Sequence, residues 1–177
     1  EDSPESLVED VLRASDGHGH PEAARILAEE GPLQVDEVLI RRAGVEFDRA
    51  PDGSLSLARE GGHSVSRILH VADYTGRAIE VALIAAVRAH PNIILLTGHT
   101  AVDLLTPAHH AVDRRMIYDP PSCAGAYLFE QATGAVKRCL ASKTVLATGG
   151  LGQIFLRTSN PPGARGDGFA MASHAGA

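Results

Sequence analysis

Residues 77–90 are apolar at nearly every position (Ile79, Val81, Ala82, Leu83, Ile84, Ala85, Ala86, Val87), stop at Pro91-Asn92, and lead directly into Ile93, Ile94, Leu95 and Leu96. A helix that is apolar on most of its faces must be covered on most of them. A four-residue apolar run after a Pro-Asn stop reads as a buried strand. This helix-to-strand step confines the chain to an α/β layer architecture. Residues 143–148 repeat the buried-strand pattern and end in Gly149-Gly150. At 177 residues the chain has the size of one domain, and no apolar run approaches the roughly 20 residues that cross a bilayer. Sixteen basic against 22 acidic residues, net charge -6, argue against a nucleic-acid or anionic-membrane surface. The acids concentrate in residues 1–60, which leaves residues 61–177 net positive and better suited to an anionic ligand.

Upstream, Ser3 and Pro4 supply a cap and first turn for a helix carrying Leu7, Val8, Val11 and Leu12, closed by Asp16-Gly17. Two further helices are expected, residues 21–30 and 35–43, separated by a break at Gly31-Pro32. Gly44 is the stop of the second. Residues 45–48 and the alternating Leu55 and Leu57 flank the turn Pro51-Asp52-Gly53-Ser54 and read as a hairpin. Residues 101–105 form a strand, and residues 107–122 an irregular surface insertion. Residues 123–131 and 136–141 form a hairpin around Ala132-Thr133-Gly134, and a last helix over 169–174 closes at Gly176. Cys123 and Cys139 have no ligand spacing and read as reduced core thiols of a cytosolic protein, while the nine scattered histidines read as surface or satisfied side chains rather than metal ligands.

Three places carry chemistry-bearing residues. Arg59-Glu60-Gly61-Gly62-His63-Ser64 packs an acid, bases and flexible backbone into one loop, where Glu60 either holds a cationic amine or is a solvated acid. Thr148-Gly149-Gly150 ends a strand, where glycines either let a phosphate or ribose approach the backbone or make an ordinary tight turn. Asp167, between Gly166 and Gly168, is either a plain helix N-cap or an acceptor for ribose or ribityl hydroxyls. No complete G-x-G-x-x-G is present: Gly17-His18-Gly19 and Gly150-Leu151-Gly152 both lack the third glycine.

In order along the chain, several segments resemble the L-aspartate oxidase family, kin of the fumarate reductase and succinate dehydrogenase flavoprotein subunits. They are the Glu60 loop, Arg67-Ile68-Leu69-His70 with Asp73 and Thr75-Gly76, His90-Pro91-Asn92-Ile93, Ala101-Val102-Asp103-Leu104, residues 145–150, Thr158-Ser159-Asn160-Pro161, and Gly166-Asp167-Gly168-Phe169-Ala170-Met171-Ala172. The glutamate loop and the Arg-Ile-Leu-His segment favour the aspartate oxidase branch. Of the paired arginines that the family places before the isoleucine, Ser66-Arg67 keeps one, and residues 107–122 match poorly.

The resemblance implies an α/β fold: a partial FAD-binding domain, Rossmann-like and of glutathione-reductase type, with a helical N-terminal segment and a β-hairpin or meander insertion. It divides the chain into a helical segment and short hairpin (1–58), a substrate-facing loop (59–76) and a flavin-binding α/β part (77–177). It also implies an internal fragment without the family's glycine-rich fingerprint unit and capping domain. The activity implied is oxidation of L-aspartate to iminoaspartate, with hydride transfer to FAD and reoxidation by oxygen or fumarate. That is the first step of NAD synthesis by the quinolinate route, in the cytoplasm, with a functional link to quinolinate synthase and with neither a metal nor a nucleic-acid or membrane partner. Glu60 would orient the substrate through its α-amino group, and Asp167 would contact FAD. Ala101 and Val102 would face the adenine, and Thr148 and Gly149 would run beside the adenosine pyrophosphate. The alternatives are a fragment of a fumarate or succinate oxidoreductase flavoprotein, or a non-catalytic scaffold domain that binds neither flavin nor substrate.

Overall fold

The computed structural model describes residues 2–177, which divide into two compact units, residues 2–95 and residues 96–177. In the first unit, α1 (Pro4–Ala14) starts where the Ser3 Oγ accepts the Ser6 N–H at 3.2 Å, with Pro4 in its first turn. The second helix, α2 (Pro21–Gln34), is capped by the His20 imidazole, whose Nδ1 accepts the Ala23 N–H. Ala24 and Ala28 on one side of α2 are buried. The expected break at Gly31-Pro32 is absent: α2 runs through both residues and continues without a gap into a wider π-helical stretch, Val35–Arg42. Proline removes one ladder donor. The helix carries on past that loss, with the Val35 N–H bonded to the Gly31 and Pro32 carbonyls, and in the π-helical stretch the Ala43 N–H bonds to the Val38 carbonyl five residues back. Gly44, at φ +70°, ends the helical run as expected.

Val45, Phe47 and Val71 form the buried core of this unit, packed by Leu39, Ile40, Leu55, Leu69, Ala78, Ile79 and Ala82. The hairpin expected over 45–57 is reduced to a single antiparallel bridge, Arg49 to Leu55. Instead, β1 (Leu57–Ala58) pairs antiparallel with β2 (Ile68–Leu69), and the Asp48 N–H donates to the His70 carbonyl at 2.9 Å. Residues 45–48 thus lie against the segment after the loop, held by core burial rather than by a ladder. The long apolar helix exists as α3 (Thr75–Ala89), but its expected burial does not: no residue of α3 is fully buried, and Val81 and Ile84 are 60% and 38% exposed. Within its unit α3 packs, on the side of Ala78, Ile79 and Ala82, against the Val45–Phe47–Val71 layer, with the Val35–Arg42 stretch also in contact with it.

The second unit is built on an antiparallel sheet in the order β3-β4-β5, formed by His99–Leu104, Gly125–Glu130 and Ala135–Leu140. The β4–β5 hairpin appears where the sequence placed it. A short helix α4 (Pro107–His110) and a 3₁₀ turn, Arg114–Tyr118, occupy the irregular insertion. The last helix, α5 (Asp167–His174), buries Gly168 and Met171. Two expected strands are missing: residues 93–96 and 143–148 form no ladder and are exposed, with Ile94 at 85% and Val145 at 86%. A strand needs a neighbour for its backbone groups, and among the described residues neither segment has one. The cysteines are free thiols, but Cys139 is exposed on β5 rather than in a core. No helix among the described residues is long and apolar enough to cross a membrane.

Gly125 closes the sheet at its most crowded point. Its φ is +135°, and a Cβ there would lie 1.9 Å from the Cys139 carbonyl oxygen and 3.0 Å from the Leu140 Cα. Both neighbours are backbone and cannot yield without parting β4 from β5. Gly125→Ala is expected to cost about 2–4 kcal/mol in urea unfolding. Gly134→Ala, in the hairpin turn with open space around it, should cost only about 1 kcal/mol.

Candidate functional site

The Glu60 loop is a turn with a defined geometry. The His63 N–H donates to the Glu60 carbonyl at 3.2 Å, Gly62 has φ +89° and Gly61 does not have positive φ. These are the marks of a type II turn, with Glu60 and His63 at its ends and glycine at the position that requires φ above zero. The Arg59 Nε donates to the His63 carbonyl at 2.8 Å. The Glu60 side chain is exposed and makes no hydrogen bond or ion pair among the described residues, so its carboxylate is free to accept from a ligand.

The turn is anchored to α1 by a buried charge cluster. One Asp10 oxygen, Oδ2, accepts from the Ser64 N–H (2.7 Å), the Ser64 hydroxyl (2.8 Å) and the Arg67 Nη1 (2.7 Å). The other accepts from Arg13, which also reaches the Gly62 carbonyl at 3.3 Å. The side chains of Asp10 and Arg67 are only 2% and 7% exposed. Arg67 completes its fork on Asp2, at 2.8 Å, and the Ser6 hydroxyl, at 3.0 Å. The Ser64 N–H, its hydroxyl and the two guanidinium groups hold the Asp10 carboxyl far below the usual range against the opposing effect of burial. Arg67 likewise lowers Asp2. Arg67 was visible in the sequence only as a family residue. Asp10 was not singled out; its one sequence signal is its place three residues beyond Leu7, at the margin of the apolar stripe of α1.

In the second unit, residues 148–150 meet residues 166–168 at the start of α5. A Cβ at Gly168 would lie 1.9 Å from the Thr148 Oγ1, so glycine is required for the Thr148 segment and the first turn of α5 to touch. The Gly166 N–H donates to the Gly150 carbonyl at 3.2 Å. Gly149 sits at φ +74°, and neither it nor Gly150 has an atom within 4 Å of a Cβ position, so the backbone from Thr148 to Gly150 is open to a ligand. Asp167 is not the N-cap, a place taken by Gly166; it is the first residue of α5, exposed, with Arg165 at 3.0 Å. Ala101 pairs with Leu128, whereas Val102 lies at an irregularity between Ala101 and Asp103, 54% exposed on a strand at the sheet edge. A bulge there frees its backbone from the ladder.

A family model described as an FAD binding domain matches residues 1–177. The chain is 42% identical over 177 residues to L-aspartate oxidase 1 of Ralstonia nicotianae, spanning 99% of this chain and 32% of that protein. It is 43% identical over 174 residues to the chloroplastic L-aspartate oxidase 2-a of Nicotiana tabacum, spanning 98% of this chain and 26% of that protein. The chain therefore spans between about a quarter and a third of the length of these relatives. Among solved structures it is similar to Mycobacterium smegmatis Sdh1, with a TM-score of 0.83 and 29% identity over 99% of this chain and 29% of that one. It is also similar to the E. coli quinol fumarate reductase FrdA, with a TM-score of 0.84 and 25% identity over 98% of this chain and 27% of that one.

The anchor makes a prediction about acid. Because the folded Asp10 carboxyl is lowered, its contribution is fully present above the unfolded value near pH 4 and is lost as pH falls through the lowered folded value. Asp10→Asn is expected to lower the melting temperature at pH 7, to flatten the acid limb of the stability curve and to speed amide exchange over residues 59–67. Asp113→Asn, which removes an exposed pair with Arg115, should leave all three unchanged.

Proposed function

The chain belongs to the FAD-binding-domain family, and from that premise we propose that it serves as the substrate-loop and flavin-contacting part of an L-aspartate oxidase, converting L-aspartate to iminoaspartate in the cytoplasm. The observation that carries this reading is the free Glu60 carboxylate on a turn locked to α1 through Ser64, Asp10 and Arg67. An amino-acid substrate presents an ammonium group, and an unpaired carboxylate on a pre-ordered turn suits it. A plain dicarboxylate has no cation to offer.

The residues present also fit part of the cofactor. The open backbone from Thr148 to Gly150 leaves room for the adenosine pyrophosphate, and the exposed Asp167 carboxylate is an acceptor for ribose or ribityl hydroxyls. The backbone at Ala101 and at the Val102 bulge would lie along the adenine. FAD, when bound, supplies the acceptor for the hydride that leaves the substrate α-carbon, and oxygen or fumarate then takes up the electrons. The role of Glu60 is to accept from the α-ammonium and fix the direction of the α-carbon hydrogen. The product places the reaction at the head of NAD synthesis by the quinolinate route, where quinolinate synthase would consume it.

A second reading, a fumarate or succinate oxidoreductase flavoprotein, draws support from the likeness to Sdh1 and FrdA. It leaves Glu60 without a partner. In the full-length enzyme, Glu60→Gln is expected to raise KM for L-aspartate roughly tenfold, the value of one charged hydrogen bond, while FAD content stays unchanged. Unchanged aspartate kinetics would remove Glu60 from the substrate site.

A further inference from the structure

The loop contains a polar atom that neither the fold nor the proposed role of Glu60 accounts for. The His63 Nδ1 is buried and has no hydrogen-bond partner, and it is the one such side-chain atom among the described residues. The residue as a whole is half-buried, and its backbone is fully engaged, the N–H with Glu60 and the carbonyl with Arg59. The ring is therefore held in place by the turn while one nitrogen faces protein that offers it nothing.

That arrangement selects a tautomer. A buried N–H without an acceptor is among the rarest features of folded proteins, whereas a buried unfilled lone pair is better tolerated. The neutral ring accordingly keeps its proton on Nε2 and turns the bare lone pair of Nδ1 inward. Nε2–H is then a donor of fixed direction, carried at one end of a type II turn whose other end carries the Glu60 carboxylate. An acceptor at one end and a donor at the other match the two charged groups of an α-amino acid.

We propose that His63 is a substrate-binding residue that donates from Nε2–H to a carboxylate oxygen of the substrate while Glu60 accepts from its ammonium. This rests on the aspartate-oxidising reading of Glu60, and the test separates the two. Glutamine places an amide N–H near the position of Nε2, and asparagine places one near that of Nδ1. In the full-length enzyme, His63→Asn should raise KM for L-aspartate roughly tenfold with kcat changed less than about threefold, while His63→Gln should stay within about threefold of the parent in both. Equal impairment of the two variants, or normal KM in both while Glu60→Gln is impaired, would overturn the role of His63 and leave Glu60 standing. Normal KM in all three variants would sink both. A readout independent of turnover is the ring nitrogen spectrum of the 177-residue chain labelled with ¹⁵N-histidine, with His63 assigned by the signals lost in His63→Gln. The Nε2–H tautomer supports the proposal, and a proton on Nδ1 contradicts it.

Discussion

The Asp10–Arg67 pair is the interaction on which the Glu60 loop depends. Residues 59–67 contain two glycines, have only short pairing at their edges and bury little apolar surface, so nothing in their composition would order them. Order comes from outside the loop. One carboxylate oxygen collects two donors from Ser64 and one from Arg67, and Arg67 carries the contact on to Asp2 and Ser6. Removing both charges from water costs free energy that the ion pair alone does not reliably recover. The extra hydrogen bonds with Ser64, Ser6 and Arg13 make the arrangement stable, because none of the cluster's buried side-chain nitrogens and oxygens is left without a partner. This network sets where Glu60 and His63 stand, so the chemistry at the turn is inherited from a cluster several residues away.

The two glycine-rich regions solve different problems. At Gly61-Gly62, positive φ closes a turn that presents two side chains. From Thr148 to Gly168, missing Cβ atoms let the Thr148 segment touch the start of α5 and leave an open backbone beside it. The first region is suited to gripping a small zwitterion, the second to lying against an extended cofactor. A chain with no complete dinucleotide fingerprint still carries both surfaces, consistent with its span of about a quarter to a third of the related oxidases.

Local signals were legible where local physics decides. Ser3-Pro4 and Gly44 bounded helices as expected, and Ala132-Thr133-Gly134 made the β4–β5 turn. Gly31-Pro32 misled because a helix can run past a proline at the cost of one ladder donor, as α2 does. Residues 93–96 and 143–148 misled because apolar composition reports a tendency to be buried, while strand formation also needs a neighbouring backbone. At the site, Glu60 was legible as an acid followed by two glycines and Asp167 as one between two. Asp10 was not, because a buried acid looks like any surface acid until its partners, more than 50 residues away in sequence, are in place. The role of His63 was also hidden, since an unpartnered ring nitrogen is a property of packing alone.

The most direct test of the central claim, that this loop grips an amino acid, is anaerobic mixing of the full-length flavoprotein with L-aspartate and, separately, with succinate. Bleaching of the flavin absorbance by L-aspartate but not by succinate at the same concentration is the predicted result. Bleaching by succinate with none by L-aspartate would contradict the account.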